Sequence, residues 1–220
     1  MTRTRIKICG ITRPEDAAAA AEAGADAIGL VFWPGSVRVV DVKSAQAIRT
    51  VVPPSVAVIG VFVEPNLAIV QETADAVGLN AVQLCGMLNG DGWQELRKSL
   101  GLLRAISVID DATIPDSMKL DGIRDYLVDN GSAGRHGGTG ETFDWRLAEK
   151  LRSWGRIWLA GGLNPRNVGE AIRTVRPHAV DVSTGVEISP GIKSADLMRA
   201  FVDAVHRADH AFASGSRDAS

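Results

Sequence analysis

The chain has 220 residues, 45% of them apolar and 23% charged, with a formal net charge of -2. That is enough apolar material for one sizeable core, and it excludes a disordered chain and a strongly basic face for nucleic acid or membrane. The two cysteines, Cys9 and Cys85, form no CxxC and no Cys/His cluster of zinc spacing, so reduced thiols and no metal centre are expected.

Short apolar runs alternate with helical segments from one end to the other. A strand over Arg5–Ile8 precedes a helix over Pro14–Ala23, which opens on proline and continues in alanine. A strand over Ala27–Phe32 precedes a helix over Val42–Thr50. Ala57–Phe62 precedes Leu67–Val77, and Ala81–Leu84 precedes Trp93–Leu100. Leu103–Ser107 precedes a weakly helical Asp111–Leu120. Asp125–Val128 precedes Trp145–Trp154, Ile157–Ala160 precedes Pro165–Val175, and Ala179–Val182 precedes Ser194–Arg207. The strands lack clean alternation, as strands buried on both faces do. The small, polar residues 208–220 read as a flexible tail after a barrel domain over 1–207. The longest apolar run, around Val56 to Val63, is far short of a membrane span, and the N-terminal residues lack the apolar stretch of a signal peptide. A cytoplasmic location follows as an expectation.

Strict alternation of strand and helix implies parallel winding. The stretch from Ala23 to Leu30 has a faint echo from Val77 to Leu84, 54 residues on, which is two units of 27; one eighth of 220 residues is 27.5. The period favours an α/β fold of the (β/α)8 TIM-barrel type in one domain, with a doubly wound open sheet as the alternative.

In such a barrel the chemistry sits where strands end. Cys9 ends the first strand, and Asp129 has the matching place on the sixth. Together they offer a candidate base and acid on opposite walls of one mouth. Arg38 follows the second strand, where a guanidinium can grip a carboxylate with paired hydrogen bonds. Gly161 and Gly162 follow the seventh strand, and Ser183, Thr184 and Gly185 follow the eighth. Glycine-rich turns on these neighbouring strands suit a phosphate, because backbone N–H groups can approach an oxyanion closely. The four histidines, His136, His178, His206 and His210, read as surface residues.

Several motifs resemble those of the phosphoribosylanthranilate isomerase family. They are Lys7–Thr12 (KICGIT), Gly60–Val63, Gly137–Gly140 with Phe143–Trp145, Leu159–Leu163, and Val182–Glu187 with Pro190–Gly191, and they run in order along nearly the whole chain. The resemblance implies a (β/α)8 barrel and an Amadori rearrangement of N-(5-phosphoribosyl)anthranilate in tryptophan biosynthesis. It also implies Cys9 as general base, Asp129 as general acid and Arg38 as the holder of the anthranilate carboxylate. A raised carboxyl at Asp129 and a lowered or ionised thiol at Cys9 are then expected. No cofactor is implied. The only partner is a small phosphorylated substrate, without nucleic acid or membrane, and the protein would be a monomer or homodimer. Two positions depart from the family pattern. Cys85 stands where histidine is usual after the fourth strand, and Val37 stands where proline precedes the arginine. Sister phosphosugar barrels fit less well: the histidine-pathway isomerase relies on an aspartate where this chain has Cys9. A non-catalytic ligand-binding barrel fits less well because both Cys9 and Asp129 are present.

Overall fold

A computed structural model describes residues 3–86, 92–108, 122–130 and 144–215, with side chains of the last helix to 211. Its elements are β1 (Arg5–Cys9), α1 (Pro14–Ala23), β2 (Ala27–Val31), α2 (Val42–Val51), β3 (Ala57–Val63), α3 (Leu67–Val77), β4 (Ala81–Cys85), α4 (Trp93–Leu96), β5 (Gly101–Val108), β6 (Asp125–Asn130), α5 (Arg146–Lys150), β7 (Arg156–Leu159), α6 (Val168–Val175), β8 (Ala179–Val182), β9 (Glu187–Ser189), β10 (Ile192–Lys193) and α7 (Ala195–Gly215). Strands β1 to β8 pair in order, all parallel, and β8 returns to β1 to close the barrel. The open-sheet alternative is thereby excluded. β9 and β10 form a small antiparallel hairpin.

Local chemistry sets the element ends. Pro14 opens α1, and Gly24 closes it at φ 100°, a left-handed conformation that costs glycine little. Asp41 caps α2 by accepting from Ser44 N–H, and Asn66 caps α3 by accepting from Ala68 N–H. Three helices are shorter than their sequence pattern. α4 stops at Leu96, where Ser99 Oγ donates back to the Leu96 carbonyl, so a local side-chain bond competes with the next helical turn. The helix expected from Trp145 to Trp154 is a short α-helix followed by a 3-10 turn over Leu151–Ser153. α6 begins only after Asn167, whose side chain accepts from Asn164 N–H and holds the preceding residues in a turn. The last helix is longer than expected. Ala208 is buried and Asp209 accepts from both the backbone N–H and the hydroxyl of Thr4, so the helix stays docked past 207 and runs to Gly215. The expected boundary at 207 falls inside it. Asp111–Leu120 lies outside the described residues.

The core has two shells. Even-numbered residues of the first strands, such as Ile6, Ile8, Ile28 and Leu30, pack outward against the helices. Inside the barrel, Leu103, Leu127 and Ala160 pack with Ala105 and Trp158. Among the described residues no helix is long and apolar enough to cross a membrane.

Candidate active site

Side chains alternate along a strand, so Lys7 and Cys9 of β1 share the inner face while Ile6 and Ile8 face the helices. Gly29 on the neighbouring strand makes room for them: a Cβ there would lie 2.7 Å from Cys9 Sγ and 3.2 Å from Lys7 Cε. Lys7 is fully buried. Its Nζ donates to Asp181 Oδ1 at 2.9 Å and to Gln83 Oε1 at 3.0 Å, which ties β1 to β8 and β4 beneath the mouth. Burial opposes the Lys7 charge, but Asp181 and Cys9 overcome it and hold the ammonium above its ordinary value.

Above this pair lie the sequence candidates. Cys9 closes β1, and Asp129 lies within β6, one residue from its end. Burial pushes the Asp129 carboxyl up to about 6; the negative charge of Asp181 adds to the rise, while the Asn130 N–H and Lys7 oppose it. The thiol of Cys9 moves the opposite way from expectation. Burial raises it above its ordinary value, against the pull of Lys7 and Lys193 toward the thiolate. Cys85 accepts from Gln83 Nε2 at 3.5 Å and is pushed up by burial to about 11, so it stays a thiol near neutral pH.

Arg38 lies across Gly10, where a Cβ would strike its Cδ. Its Nε and Nη2 donate to the two oxygens of Glu187 at 2.8 and 2.7 Å, while Nη1 has no acceptor among the described residues. Glu187 also accepts from Lys193 Nζ at 2.8 Å, and that nitrogen donates to the Ser183 carbonyl at 3.1 Å. One carboxylate thus sits between two cations. Burial works to neutralise Glu187, and its bonds to Arg38 and Lys193 outweigh that and keep it ionised.

The loops after β7 and β8 meet. Gly161 and Gly162 have φ of 86° and 64°, and Gly185 has no room for a Cβ against the Leu163 carbonyl. Asn164 and Asn167 both donate to the Gly162 carbonyl, which fixes the turn. The backbone N–H groups of Gly162 and Gly185 have no acceptor among the described residues. Ser183 and Thr184 join the same rim. The structure therefore brings Cys9, Asp129, Arg38 and both glycine loops to one end of the barrel. Gly137–Gly140 and Phe143 lie outside the described residues, as does His136. No group of three metal-ligating side chains occurs among the described residues.

Sequence reading passed over Asp181, Glu187 and Lys193, and left Lys7 without a role. Lys7 and Asp181 did carry a signal, each being an ionisable residue inside a short apolar strand.

The model of the family described as N-(5'phosphoribosyl)anthranilate (PRA) isomerase matches residues 6–204. The chain belongs to this family. A relative of that name from Pseudomonas savastanoi pv. phaseolicola is 47% identical over 210 residues, covering 94% of this chain and 99% of the relative. The crystal structure of the PRA isomerase from Thermotoga maritima superposes with a TM-score of 0.86 at 38% identity, covering 93% of this chain and 99% of that one. A PRA isomerase solved in complex with reduced 1-(o-carboxyphenylamino)-1-deoxyribulose 5-phosphate gives 0.83 at 36% identity, with 93% and 99% coverage. Family membership accounts for the barrel and for the order of the motifs along the chain.

Proposed function

We propose that this chain catalyses the Amadori rearrangement of N-(5'-phosphoribosyl)anthranilate to 1-(2-carboxyphenylamino)-1-deoxyribulose 5-phosphate in tryptophan biosynthesis. Asp129 is the general acid and Cys9 the general base. The observation that carries the reading is the mouth itself: a carboxyl held near 6 and a thiol flanked by two lysines lie at the end of the barrel that also carries an arginine able to bind a carboxylate and two glycine loops. The family member solved with a reduced form of that product supports the choice of ligand.

The protonated Asp129 gives its proton to the ribose ring oxygen as the anthranilate nitrogen lone pair expels it. The C1–O bond breaks, and a C1=N iminium forms. The Cys9 thiolate then takes the C2 proton, and the released electron pair forms C1=C2 while the iminium electrons return to nitrogen. The resulting enolamine shifts its hydroxyl proton to C1 to give the ketone. Substrate and product are isomers, so no electrons leave the system. The glycine loops, with Ser183 and Thr184, hold the phosphate through backbone N–H groups. Arg38 grips the anthranilate carboxylate with its outer edge while Glu187 occupies the inner one.

Because burial holds both groups up, the single mobile proton resides mostly on Cys9 near neutral pH. Thiolate with carboxylic acid is the minor arrangement, and it is the one that reacts. Activity should rise with pH near 6 and fall again where the thiol ionises, both limbs belonging to the pair. The test is turnover of N-(5'-phosphoribosyl)anthranilate by three variants. Cys9→Ser and Asp129→Asn should each lose about 10²–10⁴-fold in kcat. Asp129→Asn should also lose the falling limb, with its rising limb moved up to the Cys9 value. Cys85→Ser should lose far less. Near-normal kcat in Cys9→Ser or Asp129→Asn overturns the reading, and abolition by Cys85→Ser alone would mean that the two thiols are reversed.

A further inference from the structure

A buried ion pair is costly, and apolar residues can often fill its place without loss of stability. Lys7 is nevertheless wholly buried beneath the mouth, with Asp181 beside it and only 9% of the aspartate side chain exposed. Neither has a place in the proton transfers above. The register sets Lys7 directly beside Asp181, and Cys9 follows Lys7 by two residues on the same face. Lys7 spends two of its three N–H bonds on Asp181 and Gln83, and the third is left for the sulfur that Gly29 lets crowd against it. On the other side, Gly161, two residues past the end of β7, carries no side chain, and a Cβ there would come within 3.1 Å of Asp129 Oδ1.

We propose that the Lys7–Asp181 pair is a positioning unit that sets the proton balance between the two reacting groups: its net field favours the ionised form of Cys9 and the neutral form of Asp129. The proposal rests on the acid and base roles given above. Its electrostatic logic is differential. A cation favours the ionised form of both groups and an anion disfavours it, so the net effect on each group depends on which charge dominates there. Lys7 is the leading charge on Cys9, ahead of Asp181, and Asp181 is the leading charge on Asp129, ahead of Lys7. On balance the pair therefore lowers the thiol, where Lys7 outweighs Asp181, and raises the acid, where Asp181 outweighs Lys7. The two effects together narrow the gap between the two groups. A narrower gap populates the thiolate–acid arrangement, by about tenfold for each pKa unit. Other groups also face the mouth. Lys193 from β10 and Arg38 from the β2 loop act on Cys9, with Glu187 compensating them, and Cys85 from β4 stays neutral.

The experiment reads each group directly. In a Cys85→Ser background, Cys9 is the single thiol, and its titration is followed by the pH dependence of iodoacetamide alkylation. Asp129 is followed by carbon-13 NMR of aspartate carboxyls, assigned by its loss in Asp129→Asn. Lys7→Met/Asp181→Asn, which leaves no unpaired buried charge, should raise Cys9 and lower Asp129, so that the gap widens and kcat falls about tenfold for each unit of widening. Should that variant fail to fold, the gap changes in Lys7→Met and Asp181→Asn, added together, should be a net widening. An unchanged or narrower gap in the double variant, or in that sum, overturns the proposal. Loss of the acid–base reading is a separate outcome, seen as near-normal turnover in Cys9→Ser or Asp129→Asn whatever the titrations give.

Discussion

Two ion pairs bracket Cys9, one below it and one above. Lys7–Asp181 lies inside the barrel, where the lysine has no exposed surface and only 9% of the aspartate side chain is exposed. Arg38–Glu187 lies at the rim, where 13% of the arginine side chain meets solvent and Nη1 has no acceptor among the described residues. Both join a basic and an acidic side chain from strands or loops far apart in sequence. They differ in what is left over: Lys7 is surrounded by Asp181, Gln83 and Cys9, whereas Arg38 has one edge of its planar fork without an acceptor among the described residues, the edge that the proposed function gives to a carboxylate. On the proposed roles, depth in the barrel, more than residue type, separates tuning from gripping.

The largest expected consequence is on stability. Lys7→Met strands Asp181 as a buried charge, which should cost about 3–5 kcal/mol. Arg38→Met leaves Glu187 still bonded to Lys193 and should cost about 1 kcal/mol. Urea unfolding at pH 7 checks both, and equal losses would erase the distinction between inner and outer pair. Next in size is ligand holding. Arg38→Met should raise KM for N-(5'-phosphoribosyl)anthranilate about tenfold or more with a smaller change in kcat, as loss of uniform binding does. A fall in kcat alone would put Arg38 among the tuning groups. The smallest effect concerns the cost of the poised acid. Asp129 has a folded value of about 6 against an ordinary 3.8, so the folded state holds that proton more tightly. The stabilisation is present below about pH 4 and is lost as the pH rises through 6. Asp129→Asn should therefore be more stable than the parent at pH 8 and equal to it at pH 3. Because the carboxyl reaches water through the mouth, the gain is about 1 kcal/mol, readable as a shift in Tm.

The barrel was legible because its strands are buried on both faces and its helices carry their own stops, such as Pro14 before α1 and Gly24 after it. Cys9 and Asp129 were legible as polar groups at strand ends. The direction of the Cys9 shift was not: desolvation depends on how deep the sulfur lies, which no spacing reveals. Arg38 could be suspected of holding a carboxylate, but its partner Glu187, 149 residues away, becomes visible only when the β9–β10 hairpin folds back over the rim. Lys7 and Asp181 required parity as well as type. Their position two residues before Cys9 and Ser183 marks them as inward, and a charge facing inward from an apolar strand must find a partner.

The clasp between Thr4 and Asp209 spans 205 residues and lies beside the β1–β8 seam. During synthesis from the N-terminus, β1 emerges first, and the strand that covers its free edge emerges almost last. Until then the growing sheet has an unpaired apolar border, the kind of edge that recruits another chain. Closure of the seam is a late, long-range event with a high loop-closure cost, which predicts slow final consolidation. Cys9, Lys7 and Asp181 meet at that same seam. The mouth can acquire its charge pattern only when the ring shuts, so a ribosome-bound chain lacking β8 should be inert however well its first seven strands have folded.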